Sequence, residues 1–417
     1  MPDLEYDRRP EPMRGGFWAE LFAFSLANPP AGWPAELVAR LMPDPGSARK
    51  ETIVQRAVAA AGFPTPFVRA GGGPDDGLGA AFMVMDRAPG GPALSGLDGL
   101  SPAAVPRLLR QIPDLLATSM ARLHALDPDL VRGELEQVRD VPVTVPGLLA
   151  ALARFAGEFG RTDLVDAARW LADHPPGPSP DVICHGDLHP FNLLADGDRV
   201  TVLDWSTALL APRAHDIGFT SLQLSEPALR VPGWQRPLVR MFGRVLARRF
   251  VRDYQRQAAV TVEPAEVRWH QAVVCLRALT EVASWVHEGA ADAHAGHPWL
   301  INGRVFAPRV ARLTGAPVRA RLGGGSGRDR GLVEFGGDLG DAGAEPGVRR
   351  VHGAARVPPQ HLGDRGQVHG RLEEPHVGRR AVTAAGAPED DLRQALQALL
   401  CRCDGERRSA HGNRVSR

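Results

Sequence analysis

Two patterns of apolar residues divide the chain up to about Thr314. Between Gly15 and about Arg87, short apolar runs are separated by polar and turn-forming residues. The runs LFAFSL, ELVARLM and AAFMVMD predict strands, and ETIVQRAVAAAG between the last two predicts a helix. The start is short and leaves little chain for a first strand before Gly15, which a misassigned start codon would explain. This part of the chain is predicted to be a small lobe built on a sheet.

A stretch rich in Pro and Gly, APGGPALSG from Ala88, interrupts the pattern and predicts a hinge or linker. Apolar residues then recur at helical spacing over 105–123, where Pro113 is expected to kink or split the helix. Further helical patterns cover 146–173, 233–257 and 263–288, and two short strands are expected around 191–205. The second lobe is therefore predicted to be mostly α-helical.

The apolar pattern stops beyond about Thr314. Residues 321–417 contain no Ile, Tyr, Trp, Met or Lys and are rich in Gly, Arg and Asp. Such a segment cannot bury enough apolar surface to offset the entropy of ordering its backbone, so it is predicted to be disordered, with at most a short helix near EDDLRQALQALL. A frameshifted or read-through C-terminus would have the same composition, and both explanations stay open. The expected domains are residues 1–88, 89–317 and 318–417.

Composition narrows the class of protein. Hydrophobic residues make up 44% and charged residues 23% of the 417 residues, which is typical of folded soluble proteins. The net charge of +1 gives no general reason to expect nucleic acid or an anionic membrane as a partner. An apolar signal core, a spanning segment of about 20 residues and a disulfide framework are all missing, so a cytoplasmic location is expected. Arginine in a background rich in Ala, Gly and Pro suggests a GC-rich bacterial genome.

The segment from Asp181 to Gly218 carries the candidate chemistry. It contains HGDLHPFN, an HGDxxxxN pattern, and then an apolar strand that ends in LDW. Phosphoryl transfer needs a carboxylate to accept the proton of the attacking hydroxyl, and oxygen ligands to hold magnesium against the phosphates. Asp187, Asn192 and Asp204 supply this set.

The spacing of these residues predicts that they meet. FNLLA and VTVLD flank the turn-forming residues 196–199 and predict a β-hairpin. The hairpin pairs Asn192 with Leu203 or with Asp204, and either register places Asn192 and Asp204 at one end. Asp187 lies in the loop that leads into the hairpin. Turn formation explains each residue alone, but the combination favours a functional site.

These motifs resemble the aminoglycoside phosphotransferase and choline kinase superfamily, over roughly Gly15 to Pro317. The resemblance implies the bilobal α+β fold of protein kinases, with a small antiparallel-sheet N-lobe and a mostly helical C-lobe. It implies ATP or GTP and Mg²⁺ as cofactors, and the hydroxyl of a small molecule as acceptor. Neither the GxxxxGK[ST] loop nor a GxGxxG fingerprint is present, so other nucleotide-binding folds are poor alternatives.

The resemblance also implies roles for the residues of the second lobe. Asp187 corresponds to the catalytic base, and Asn192 and Asp204 correspond to the magnesium ligands. Asp216, in the HDIG segment, corresponds to the residue that braces the catalytic loop, and His185 is a structural member of that loop. In MARLHALD, His124 is expected to be buried and structural. Phe191 stands where the family commonly has Gly, which changes the acceptor pocket but not the ligands.

In the first lobe, the resemblance implies a nucleotide site. Gly15 and Gly16 correspond to the loop over the phosphates, and Arg40 to the cation that binds them, with Glu51 as its ion-pair partner. Lys50 is the rival cation. The backbone near Met85 and Asp86 corresponds to the hinge that receives the adenine. The alternatives are a turn at the glycines, an exposed Arg40, a first-turn Glu51 that suits the helix dipole, and Met83 and Met85 as plain core residues.

The acceptor and the oligomeric state are left open by the sequence. Residues 232–280 are rich in arginine, which disfavours a cationic aminoglycoside, while macrolides, sugars and amino alcohols remain open. Most of these arginines are expected on a solvated helix face. Two rival functions remain. One is a pseudokinase-like nucleotide-binding module, and the other is a kinase with a macromolecular acceptor.

Overall fold

The computed structural model describes residues 4–13, 19–93, 105–139, 141–227 and 233–320. Its first lobe contains β1 (Tyr6–Pro12), β2 (Glu20–Leu26), β3 (Glu36–Met42), α1 (Pro45–Ala60), β4 (Val68–Gly72) and β5 (Ala81–Asp86). Its second lobe contains β6 (Gly91–Pro92), α2 (Val105–His124), α3 (Asp129–Leu135), α4 (Val145–Glu158), α5 (Thr162–Asp173), β7 (Asp181–Cys184), β8 (Leu193–Asp196), β9 (Arg199–Val202), β10 (Leu209–Pro212), α6 (Ala214–Ser225), α7 (Arg236–Ala258), α8 (Pro264–His287) and α9 (Pro298–Thr314). Of the predicted tail, residues 318–320 are described, and residues 321–417 lie outside the described residues.

The first lobe is a five-stranded sheet within the described residues, in the order β1-β2-β3-β5-β4, and all of its strand pairs are antiparallel. Phe24, Leu37, Phe82 and Val84 are fully buried in its core. β3 lies at the centre of the sheet, so its residues are held by hydrogen bonds on both sides. The predicted small antiparallel lobe is confirmed.

The expectation that too little chain precedes Gly15 for a first strand is wrong. β1 pairs with β2 and forms one edge of the sheet. Its sequence, YDRRPEP, lacks an apolar alternation and contains two prolines, which hides it from a pattern search. An edge strand tolerates this sequence because one side of its backbone needs no partner strand.

The alternative interpretations of Arg40 as an exposed residue and of Glu51 as a first-turn residue are also wrong. α1 begins at Pro45, where Asp44 caps the helix by accepting a hydrogen bond from the Ser47 N–H at 2.8 Å. Glu51 therefore lies in the second turn. Its side chain is buried, so the helix dipole does not explain it.

The second lobe packs its helices around two apolar clusters. One is centred on α8, which is buried along most of its length, and the other joins α2, α6 and α7. α2 continues through Pro113, so this proline does not split the helix. The predicted mostly helical lobe is confirmed.

The predicted β-hairpin is confirmed as β8 and β9. Leu193 lies opposite Val202, and the Leu203 N–H donates to the carbonyl of Asn192 at 2.9 Å. Of the two registers left open by the sequence, the structure has the one that pairs Asn192 with Leu203.

The two lobes are joined by the linker and by a buried hydrogen-bond chain. In the linker, β6 pairs with β8, and Gly90 has a φ of 89° at a point where a Cβ would clash with the carbonyl of Ala195. Beside it, the Trp205 indole N–H donates to the Thr65 hydroxyl at 2.9 Å, and this hydroxyl donates to the Val202 carbonyl at 2.8 Å. Thr65 therefore connects the first lobe to the strand that leads into the site.

Replacing Thr65 by Val should remove both hydrogen bonds at nearly constant volume. The buried Trp205 N–H then loses its acceptor, and we expect a loss of about 1–3 kcal/mol of unfolding free energy. Urea denaturation of the full chain measures this loss. Thr201→Val, at a half-buried position of β9, is the control. Equal stability of Thr65→Val and the unchanged protein would contradict the role of Thr65.

Candidate functional site

A buried carboxylate holds the loop that carries Asp187. Asp216, at the start of α6, accepts hydrogen bonds from the backbone N–H groups of His185 at 2.8 Å and Gly186 at 2.7 Å. It also pairs with His124 Nε2 at 3.1 Å. Burial alone would raise the pKa of Asp216, but the hydrogen bond from His124 and the neighbouring histidines hold this pKa below its ordinary value. Asp216 therefore stays ionised and fixes the loop.

His185 is buried within the same loop. Its Nε2 donates to the Leu203 carbonyl at 3.0 Å, and its Nδ1 accepts from the Asp187 N–H at 3.3 Å, which corresponds to a neutral imidazole. Gly186 has a φ of 77°, and a Cβ there would clash with the carbonyl of Thr207. The loop that carries Asp187 and the segment after LDW are therefore in direct contact.

Asn192 links the loop to the hairpin. It ends a short 3₁₀ turn, Pro190–Asn192, and its Nδ2 donates to the Asp187 carbonyl at 2.9 Å and to Asp187 Oδ2 at 3.3 Å. The amide nitrogen is thus directed to Asp187, and the amide oxygen of Asn192 is the atom that could hold a metal ion.

Asp204 lies after β9 with a φ of 63°, in the left-handed region. Its Oδ1 accepts from the Ser206 hydroxyl at 2.7 Å and from Arg40 Nη2 at 3.2 Å. Burial alone would raise the pKa of Asp204, but Arg40 and Ser206 hold this pKa below its ordinary value. Within the described residues Oδ2 receives no hydrogen bond. An ionised carboxylate oxygen and an amide oxygen are ligands that Mg²⁺ prefers, so Asp204 and Asn192 fit this ion.

Arg40 connects the first lobe to this site. It is buried on β3 and lies 3.2 Å from Asp204 and 3.4 Å from Glu51, the second contact being an ion pair without hydrogen-bond alignment. Burial raises the pKa of Glu51 to about 7, and the nearby Asp204 adds to this rise while Arg40 opposes it. Lys50 is directed elsewhere. Its Nζ contacts the Pro142 carbonyl at 3.4 Å, and burial lowers its pKa to about 8.

The hinge residues lie at the end of β5, where the chain enters the linker. The Asp86 carboxylate receives two hydrogen bonds from Arg69, at 2.5 and 2.6 Å, and the Asp86 N–H donates to the Phe67 carbonyl. Met85 is half-buried, whereas Met83 is fully buried as a core residue. Gly15 and Gly16 lie between β1 and β2 in the sequence and outside the described residues.

Three side chains that contact residues of the candidate site had no assigned role in the sequence. His189 Nε2 lies 3.6 Å from Asp187 Oδ2, and Ser206 orients Asp204. Tyr254 on α7 contacts His124 Nδ1 at 2.7 Å and so supports the partner of Asp216. His189 and Ser206 each lie two residues after an aspartate of the motif, which is a local signal. Nothing in the sequence marks Tyr254.

The arginines of α7 were expected on a solvated face, and this expectation is confirmed. Most of them have exposed side chains: Arg236, Arg240, Arg244, Arg248 and Arg252. Arg249 is half-buried and pairs with Asp253 at 3.4 Å. On α8, Glu281 is half-buried, and burial together with the nearby Asp187 raises its pKa to about 7.

Comparison with known proteins identifies the family and the fold. A sequence model described as the phosphotransferase enzyme family (APH) matches residues 29–244, which is more than half of the 417 residues. No curated protein matches the chain. Two similar solved structures are a candidate aminoglycoside phosphotransferase from Ralstonia eutropha JMP134 (19% identity, TM-score 0.52, covering 74% of this chain and 90% of that one) and an ethanolamine kinase from Plasmodium vivax (15%, 0.50, 75% and 84%). At these identities the two structures establish the fold only.

Replacing Glu51 by Gln should change how stability depends on pH. Folding raises the pKa of Glu51 from 4.5 to about 7, so the folded state binds this proton more tightly than the unfolded state. Stability is then lost as pH rises from 4.5 to 7, by up to roughly 3 kcal/mol through this group. Denaturation at a series of pH values should show that the unfolding free energy of Glu51→Gln falls less between pH 4.5 and 7 than that of the unchanged protein. Parallel curves for the two proteins would contradict the raised pKa.

Proposed function

Because the chain belongs to the phosphotransferase enzyme family, we propose that it moves the γ-phosphoryl group of ATP or GTP to a hydroxyl of a small molecule. The contact of Asn192 with Asp187 carries this proposal, since it holds a candidate magnesium ligand and a candidate base together. The residues Asp187, Asn192 and Asp204 fill distinct roles in such a transfer. The acceptor is a separate question.

Asp187 is proposed to be the catalytic base. Its carboxylate is half-buried, and the bracing of its loop by Asp216 fixes its position before substrate arrives. It orients the acceptor hydroxyl and takes its proton, while the hydroxyl oxygen bonds to the γ-phosphorus and the bond from that phosphorus to the bridging oxygen breaks. The leaving group is the nucleoside diphosphate. Positioning of this kind accounts for most of the catalysis in phosphoryl transfer.

Asn192 and Asp204 are proposed to hold magnesium, through the amide oxygen of one and Oδ2 of the other. When bound, magnesium neutralises charge on the phosphates. Ser206 fixes the rotation of the Asp204 carboxylate by hydrogen bonding to Oδ1. This leaves the other oxygen for the ion.

Arg40 is proposed to bind phosphate oxygens from the first lobe. Its buried guanidinium lies between Glu51 and Asp204, and a guanidinium offers several donors in one plane. Lys50 is a poorer candidate because its ammonium group contacts Pro142 instead. Gly15 and Gly16 over the phosphates, and the backbone near Met85 and Asp86 at the base, remain part of the proposal.

The location of the protein is proposed to be the bacterial cytoplasm. Within the part of the chain that the structure describes, every helix is too short or too polar to cross a bilayer. The basis for a bacterial source is the sequence composition alone.

Replacing Asp187 by Ala should lower acceptor-dependent turnover by about 10²–10⁴-fold, because the base is lost while the fold is kept. The measurement is ADP release from Mg-ATP by the full chain, over a panel of hydroxylated antibiotics, sugars and amino alcohols. Asp198→Ala, in the exposed turn between β8 and β9, is the matched control.

Full activity of Asp187→Ala with native circular dichroism would refute the assignment of the base. If the unchanged protein releases no ADP with any compound of the panel but still binds ATP, a pseudokinase-like module would be favoured. Activity on a protein fraction alone would point to a macromolecular acceptor.

Replacing Asn192 by Ala should raise the Mg²⁺ concentration for half-maximal activity by about 10-fold or more, since one oxygen ligand is removed. Turnover against Mg²⁺ concentration measures this shift, again with Asp198→Ala as control. An unchanged Mg²⁺ dependence would exclude Asn192 as a ligand.

A further inference from the structure

Phe191 is an exposed aromatic residue inside the catalytic loop. Its side chain is 72% exposed, although it directly precedes Asn192 and lies four residues after Asp187. Single exposed apolar residues are common on protein surfaces and need no explanation. The position of Phe191 is unusual because its neighbours are the proposed base and a proposed magnesium ligand. An acceptor bound there would cover the exposed ring and remove its apolar surface from water.

His189 extends the exposed ring of Phe191 towards the base. The two rings form an edge-to-face pair with centroids 5.9 Å apart, and His189 Nε2 lies 3.6 Å from Asp187 Oδ2. The other side of His189 stacks on Phe219 at 6.3 Å. The His189 ring also accepts a hydrogen bond from the Phe191 N–H at 3.2 Å, which fixes the turn. Phe191 and His189 therefore form an aromatic pair whose histidine lies beside Asp187, and the buried Phe219 supports that histidine.

We propose that His189 and Phe191 form a platform for the acceptor, which is an uncharged hydroxylated ring compound whose apolar face stacks on Phe191. This inference rests on the proposed function, because it places a hydroxyl of the ring at Asp187. Sugar rings and macrocycles have such a face, with hydroxyl groups at its edge. Stacking on an aromatic ring removes the apolar face from water and orients the hydroxyls.

Two observations favour an uncharged ring over a cationic acceptor. Sites that select ammonium groups by cation–π contacts enclose the cation in several aromatic faces, whereas Phe191 offers one open face. A further carboxyl among the described residues near Asp187 is Glu281, which is half-buried; burial and the nearby Asp187 raise its pKa to about 7. On the same helix, the half-buried Arg277 adds a positive charge near Glu281 and opposes this rise of its pKa. The positive charge of Arg277 counts against a cationic acceptor.

The test is ligand binding by saturation-transfer NMR on the full chain with Mg-ATP analogue present. The neutral probe is 4-nitrophenyl β-D-glucopyranoside, and the cationic probe is choline. Phe191→Ala should weaken binding of the neutral probe by about 3- to 10-fold, whereas Phe191→Trp, which keeps an aromatic ring, should bind the probe like the unchanged protein. Phe155→Ala, which removes an exposed phenylalanine on α4, should bind like the unchanged protein. The 72% exposure of Phe191 means that its replacement should not impair folding.

The outcomes separate the platform from the phosphotransferase reaction. One outcome is that Phe191→Ala loses binding of the neutral probe while the unchanged protein releases no ADP with any acceptor. This outcome would support the platform and count against the proposed function. ADP release with a KM unchanged in Phe191→Ala would overturn the platform and leave the function standing. No binding of the neutral probe by the unchanged protein, or a loss in Phe191→Ala confined to choline, would also overturn the platform.

Discussion

The site depends on the hydrogen bonds that the buried Asp216 carboxylate accepts. A buried charge is tolerated only when its hydrogen bonds are satisfied, and Asp216 meets this condition with two successive backbone N–H groups and with His124. These bonds set the path of the chain from β7 into the catalytic loop. The positions of Asp187 and Asn192 follow from that path, because no regular secondary structure holds the residues between His185 and Pro190.

Most of the fold could be predicted because its elements follow apolar periodicity. The hairpin of β8 and β9 is the clearest case, since its turn residues and two apolar runs fix which residues pair to within one position. β1 could not be predicted, because a polar edge strand acquires its structure from β2 and not from its own pattern. The start of α1 depends on the cap at Asp44, and a search for apolar spacing alone misses the first turn.

The sequence predicts the part of the site whose residues lie within one short segment. It does not predict contacts between segments that are far apart in the sequence. Asp187, Asn192 and Asp204 fall within 18 residues, and the hairpin explains how they meet. The choice between Arg40 and Lys50 could not be made from the sequence, because it depends on which of the two cations contacts Asp204 and which contacts the Pro142 carbonyl. The same holds for Tyr254 and Thr65, whose partners lie more than 100 residues away.

The contact between Gly186 and Thr207 separates positions that cannot be changed from positions that can, within the loop that carries Asp187. Any side chain at residue 186 would push the loop away from the segment after LDW, and with it Asp187 away from Asp204. Phe191 lies beyond this contact and is exposed, whereas His189 is half-buried and accepts the Phe191 N–H. For protein engineering, residues 186 and 189 are thus positions with fixed contacts, and residue 191 is a position open to redesign. A library that randomises residue 191 alone keeps the backbone hydrogen bond to His189 and the contact of Gly186 with Thr207.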